Sequence, residues 1–135
     1  MGYRSQVTAA IYPAEPGDPL NHCTYKEYET EKYNALRLLM GTKFAQIMEM
    51  EAGWFGSNAT WDDENHRLVF ELQDVKWYES YEDVKAFEAM LIEVAELGYC
   101  SEIMRVGEEI DDIEHRANGN DIEYRLSVSR SIEID

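Results

Sequence analysis

Val7, Ala9 and Ile11 alternate with Gln6, Thr8 and Ala10, and this two-residue period predicts a strand over residues 4–12. Pro13, Pro16, Gly17 and Pro19 cannot continue a ladder or a helix, so residues 13–23 are expected to form a loop. Thr24 with Glu27 three positions later spells a capping box. The helix it opens carries Tyr25, Tyr28, Leu36, Leu39 and Met40 among charged positions and is expected to stop at Gly41. Over residues 42–52, Phe44, Ile47 and Met48 stand at helical spacing, and the Met, Glu, Ala and Gln content suits a short helix better than a strand. Residues 53–57 are expected to break that helix.

A hairpin follows. Residues 59–62 and 67–76 flank a polar Asp63-Glu64-Asn65-His66 turn, and Leu68, Phe70 and Leu72 alternate with Val69 and Glu71 in the second strand. Ser80 and Asp83 have the spacing of a second capping box. Val84, Phe87, Leu91, Val94 and Ala95 then form an apolar helical face reaching Leu97, with Gly98 as the stop. Residues 99–114 and 122–134 are rich in β-branched and aromatic positions, with Asn118-Gly119-Asn120 as a turn signal between them.

This order of strands and helices is that of a split βαβ unit. The predicted fold class is α+β: a ferredoxin-like two-layer sandwich, with an antiparallel sheet, helices on one face and one extra C-terminal strand. Val7, Ile11, Phe70 and Leu72 should face Phe87 and Leu91 of the longer apolar helix. No internal repeat or change of composition marks a second domain, so residues 1–135 are read as one.

Charge changes the picture. The chain has 28 acidic and 12 basic side chains, a net charge of −16. Residues 68–135 hold 18 of the acids against 6 bases, and residues 79–114 hold 12 against Lys85 and Arg105 alone. Such a surface repels nucleic acid and anionic membranes, both of which are bound through Lys and Arg. It suits a partner with a positively charged cleft. Glu82, Asp83, Glu88, Glu93 and Glu96 are expected to point away from the apolar face of their helix, and Glu108, Glu109, Asp111, Asp112 and Glu114 to crowd the following strand end. Glu88, Glu93 and Glu96 in particular are expected to face solvent without contacting the core. Duplex DNA presents about one negative charge per ~1.7 Å of axis, a density that a row of carboxylates on a folded domain can approach. A solvated face that keeps the protein soluble is the plainer reading of the same residues.

Other chemistry finds little in the sequence. There is no nucleophile elbow and no glycine-rich phosphate loop, so no catalytic residue and no cofactor are assigned. Glu108-Glu109-Ile110-Asp111-Asp112 lacks the spacing of a calcium loop, and His22, Cys23, His66, Cys100 and His115 lack the pair spacings of zinc sites, so no metal is expected. The two cysteines are read as reduced thiols, and folding as needing neither metal nor disulfide. Without an apolar leader or spanning segment the protein is expected in the cytoplasm. Trp54, Trp61 and Trp77 lie beside predicted loops, where an aromatic side chain can anchor a partner.

Met1-Gly2-Tyr3-Arg4-Ser5-Gln6-Val7, with residues 75–81 (Val-Lys-Trp-Tyr-Glu-Ser-Tyr) and 105–109 (Arg-Val-Gly-Glu-Glu), resembles small acidic proteins encoded by bacteriophages and prophages. The resemblance implies a protein made in the host cytoplasm during infection, where small acidic proteins act on host machinery. The function expected is non-enzymatic: binding of a basic, nucleic-acid-binding host protein through the acidic face, as a DNA mimic that inhibits a defence or transcription complex. The alternatives are an immunity-type inhibitor of a toxin and a small metal-dependent enzyme that uses the acidic cluster.

Overall fold

A computed structural model of the chain describes residues 3–16, 24–109, 111–119, 126–128 and 132–134. Strand β1 (Ser5–Pro13) is followed by helices α1 (Tyr25–Gly41) and α2 (Ala45–Ser57), the hairpin β2 (Ala59–Asp62) and β3 (Arg67–Val75), helix α3 (Glu82–Glu96), and strands β4 (Tyr99–Val106) and β5 (Ile113–Asn118). Two short strands, β6 (Leu126–Val128) and β7 (Ile132–Ile134), pair with each other. The main sheet runs β2-β3-β1-β4-β5 with every neighbouring pair antiparallel. Its first four strands have the ferredoxin-like order, and β5 is the extra strand, added outside β4.

The expected core is present. Val7, Ile11, Phe70 and Leu72 share one buried cluster with Phe87 and Leu91, as the period-two and helical patterns required. Phe70 meets the Phe87 ring edge-on at 4.9 Å, and Phe55 from α2 stacks on Phe87 at 4.6 Å. The opposite face of the sheet is packed by β6 and β7 against β4 and β1. The domain is therefore layered on both sides of β1 and β4.

Thr24 caps α1 as the capping box requires: its hydroxyl accepts from the Glu27 amide, and the Glu27 carboxylate accepts from the Thr24 amide, both at 3.1 Å. The second box does not form. Tyr81, not Ser80, is the residue before α3, and the Asp83 carboxylate accepts from the adjacent Val84 amide at 2.9 Å. The chain turns one residue later than the spacing implied, because Tyr81 closes a turn onto the Tyr78 carbonyl at 3.0 Å and packs edge-on against the Tyr78 ring.

Residues 42–52 contain a helix, but its interruption comes earlier than expected. Met50 is extended and Glu51, Ala52 and Gly53 take left-handed backbone angles, after which residues 54–57 are helical again and carry Phe55 into the core. Gly98 ends α3 with φ +96°, as expected of a glycine stop. The single strand expected over 99–114 is two strands. The chain reverses after Val106 and pairs back as β5, so the extra strand is built from residues 113–118. The turn expected at 118–120 is described only to Gly119, where φ is +123°. Residues 122–134 do not form one strand: their described parts are β6 and β7.

Candidate functional site

The reversal between β4 and β5 gathers the densest acidic stretch into a tight turn. The Gly107 amide donates to the Asp112 carbonyl at 2.8 Å, and the Asp112 amide donates to the Glu109 carbonyl at 3.1 Å. A Cβ at Gly107 would stand 2.0 Å from Asp112 Oδ2 and 2.3 Å from the Tyr3 hydroxyl, so any larger residue there would displace these two side chains.

Arg105 holds this turn from below. Its guanidinium donates to both oxygens of Asp112, at 2.7 and 3.1 Å, to Glu114 at 2.8 Å and to the Ser5 hydroxyl at 3.1 Å. The Tyr3 hydroxyl donates to Asp112 at 2.5 Å and accepts from the Glu109 amide at 3.2 Å. These bonds set the ionisation of the cluster. Arg105 beside it, and then Tyr3, hold the Asp112 carboxyl at about 2, below the usual carboxylate range. Arg105 is pushed further up, chiefly by the bond to Asp112, and the same carboxylate raises the Tyr3 phenol.

The ten carboxylates selected from the sequence therefore fall into two groups. Glu108, Glu109 and Asp111 are exposed on the turn, with Glu108 accepting from the Arg4 amide at 2.7 Å, and Glu96 is exposed at the end of α3. Asp112 and Glu114 instead turn toward Arg105. Glu88 is half-buried and paired with Arg116, Glu93 is half-buried and 2.9 Å from Lys43 Nζ, Glu82 lies 3.7 Å from Lys85, and the Asp83 carboxylate accepts from the adjacent Val84 amide. The expectation that Glu88, Glu93 and Glu96 all face solvent is corrected by these pairings: α3 leans its Glu88 side onto β5, which brings Arg116 within reach.

The aromatic residues take structural positions. Trp77 is 7% exposed and packs edge-on against Phe55 and Phe87. Trp54 and Trp61 are half-buried: Trp54 lies against Phe55, and Trp61 meets Tyr33 edge-on with the Arg37 guanidinium 4.9 Å from its ring. The more exposed aromatic side chains are Tyr25 and Tyr81.

One group escaped the sequence. Glu102, counted there among the surface acids, is 0% exposed. It accepts from the Tyr12 hydroxyl at 3.2 Å, lies 3.0 Å from His115 Nε2, and is 3.4 Å from the Leu126 amide. The signal that could have found it is strand alternation. Cys100, Glu102 and Met104 share one face of β4, and all three are buried, so that face is covered rather than solvated.

His66 is 2.6 Å from Glu29, Cys100 is buried, and His22 and Cys23 lie outside the described residues. Among the described residues no three His, Cys, Asp or Glu side chains are grouped as a metal ion would need, and no helix is long and apolar enough to cross a membrane. No protein-family model, curated protein or solved structure matches the chain.

Proposed function

We propose that the protein works without catalysis, by presenting fixed carboxylates to the basic groove of a nucleic-acid-binding protein and so competing with nucleic acid for it. The setting proposed is a phage-encoded inhibitor of a host defence or transcription complex, acting in the host cytoplasm.

The observation that carries this reading is the β4–β5 turn, where Glu108, Glu109 and Asp111 are exposed while Arg105, Tyr3 and Gly107 tie the backbone beneath them. Carboxylates on an ordered turn lose less freedom on binding than the same charges on a mobile segment, so more of their attraction survives as affinity. The net charge of −16 adds a long-range field that speeds encounter with a positive surface. The paired acids Glu88, Glu93, Asp112 and Glu114 contribute less, because each already shares a cation.

The test is charge reversal on the turn. The immobilised protein is exposed to bacterial lysate, washed at rising salt, and challenged with duplex DNA. Nucleic-acid-binding proteins should be retained at low salt, released by DNA, and lost with the Glu108→Lys, Glu109→Lys, Asp111→Lys triple variant, whose melting temperature should fall only slightly, through loss of the exposed Glu108–Arg4 bond. Retention of the same proteins by that variant, at the same salt, would sink the proposal.

A further inference from the structure

The main sheet ends in two unlike edges. β2 has four residues, of which Thr60 alone is exposed. β5 has six, and Ile113, Glu114, His115 and Arg116 are exposed in succession. Successive side chains of a strand point to opposite sides, so this run is open on more than one face. His115 locates the rest of the opening. Its side chain is 25% exposed and lies against Glu102, yet the residue as a whole is exposed, so the accessible surface there belongs mainly to the backbone. Among the described residues β5 pairs with β4 only, and its outer row of amides and carbonyls is a template for a further strand. The devices that blunt such an edge are missing from it: β5 contains no proline and no lysine, and its register with β4 runs without a bulge.

The sequence of β5 selects the strand that fits. Two copies running antiparallel about a two-fold axis at His115 place Glu114 opposite Arg116 and Ile113 opposite Ala117, each contact occurring twice. An axis at Glu114 or at Arg116 would set like charges directly opposite each other, which disfavours both of those registers. Glu114 and Arg116 stand beside Arg105 and Ile103 of β4, on the helix side of the sheet, while Ala117 stands beside Glu102 on the other side. Charged and apolar contacts therefore separate onto the two faces. The ties of Glu114 and Arg116 within their own chain leave room for these contacts. Arg116 meets Glu88 and Glu114 through Nη2 and its side chain is 51% exposed, and that of Glu114 is 47% exposed. With one acid and one arginine, β5 is also a near-neutral stretch in a chain of net charge −16, where repulsion between two copies is least.

We infer that the outer edge of β5 is a self-association surface, through which two copies of the chain join their sheets by antiparallel β5 strands centred on His115. The contact does not use the exposed turn acids Glu108, Glu109 and Asp111, so it stands or falls apart from the proposed competition with nucleic acid.

Sedimentation equilibrium of the full chain, in enough salt to screen its net charge, should give a mass approaching twice 15.7 kDa as concentration rises into the submillimolar range. Glu114→Lys and Arg116→Glu each convert both opposite-charge contacts into like-charge ones, and each should weaken the dimer by about tenfold or more. Mixed in equal amounts, the two variants face each other with opposite charges restored at both contacts, and a heterodimer should form at close to the parental affinity. Should either variant unfold, hydrogen exchange of the parent decides: the amides of β5 should gain protection as concentration rises, and those of β2 should not. A parent that keeps the monomer mass throughout, a dimer that both variants leave intact, folded variants that stay apart on mixing, or protection that rises outside β5 and not within it overturns the inference.

Discussion

The two faces of the central sheet are buried by different means. Toward the helices, Val7, Ala9, Ile11, Leu68, Phe70 and Leu72 meet α1, α2 and α3 in a cluster held by shape and apolar area. On the other face Thr8, Arg67 and Glu102 are buried among Ala10, Tyr12 and Cys100. There burial is possible because polar atoms find partners: Arg67 Nε donates to Asp62 at 3.0 Å, and Glu102 lies between Tyr12 and His115. Apolar packing is non-directional and sums over many small contacts, whereas a buried carboxylate depends on a few bonds of defined geometry. The first face should therefore respond to lost volume, and the second to lost hydrogen-bonding capacity at constant volume.

The largest effect is expected on the helix side. Phe87→Ala removes a ring that touches Phe55, Phe70 and Trp77 together, and should cost about 3–5 kcal/mol by urea denaturation. A loss below about 1 kcal/mol would mean that the helices are not seated on this cluster. On the opposite face, Glu102→Gln keeps the volume and removes the charge. It should cost about 1–3 kcal/mol, because the new amide offers one acceptor oxygen where the carboxylate offered two. A double-mutant cycle with His115→Gln should return a coupling of about 0.5–3 kcal/mol, and additivity of the two changes would remove the distinction between the faces.

Helix α1 and helix α3 give a smaller version of the same contrast between a bond that is made and one that is only spelled. Thr24→Ala breaks a formed capping box and should cost about 1 kcal/mol. Ser80→Ala should stay within about 0.5 kcal/mol of the parent, since no side chain caps α3. Equal losses at the two positions would place the start of α3 at Tyr81 after all.

The helix-facing half of the fold was legible because its signals are local. Alternation in β1 and β3 and the apolar stripe of α3 follow from backbone geometry alone, and they place Phe70 against Phe87 without knowledge of anything between them. The reversal at Gly107 was not legible. Residues on both sides of it keep strand-like character, and the turn is closed by Tyr3, from the far end of the chain. Charge likewise told where acids are dense but not which are spent: Glu93 meets Lys43, and Glu88 meets Arg116, through tertiary approach that no period encodes. Glu102 was missed for the complementary reason. An acid in an acidic stretch reads as surface until the covering layer, β6 and β7, is in view.

The smallest effect is expected at the half-buried pairing of Asp112 with Arg105. Its folded-state carboxyl is held at about 2 by Arg105 and Tyr3, below the ordinary carboxylate value near 4. The ionised form is therefore favoured in the folded chain. Its contribution to stability is complete above the ordinary value and is lost as pH falls through about 2. Other carboxylates also titrate in this window, so the informative quantity is a difference in slope. Between pH 5 and pH 2 the melting temperature of the parent should fall more steeply than that of Asp112→Asn, the two curves separating most at pH 5 and converging near pH 2. The separation should be modest, because a pair at the protein surface keeps part of its hydration and its attraction is screened. Curves that remain parallel over the whole range would show that Asp112 holds the turn through hydrogen-bond geometry alone, with its charge irrelevant to the fold.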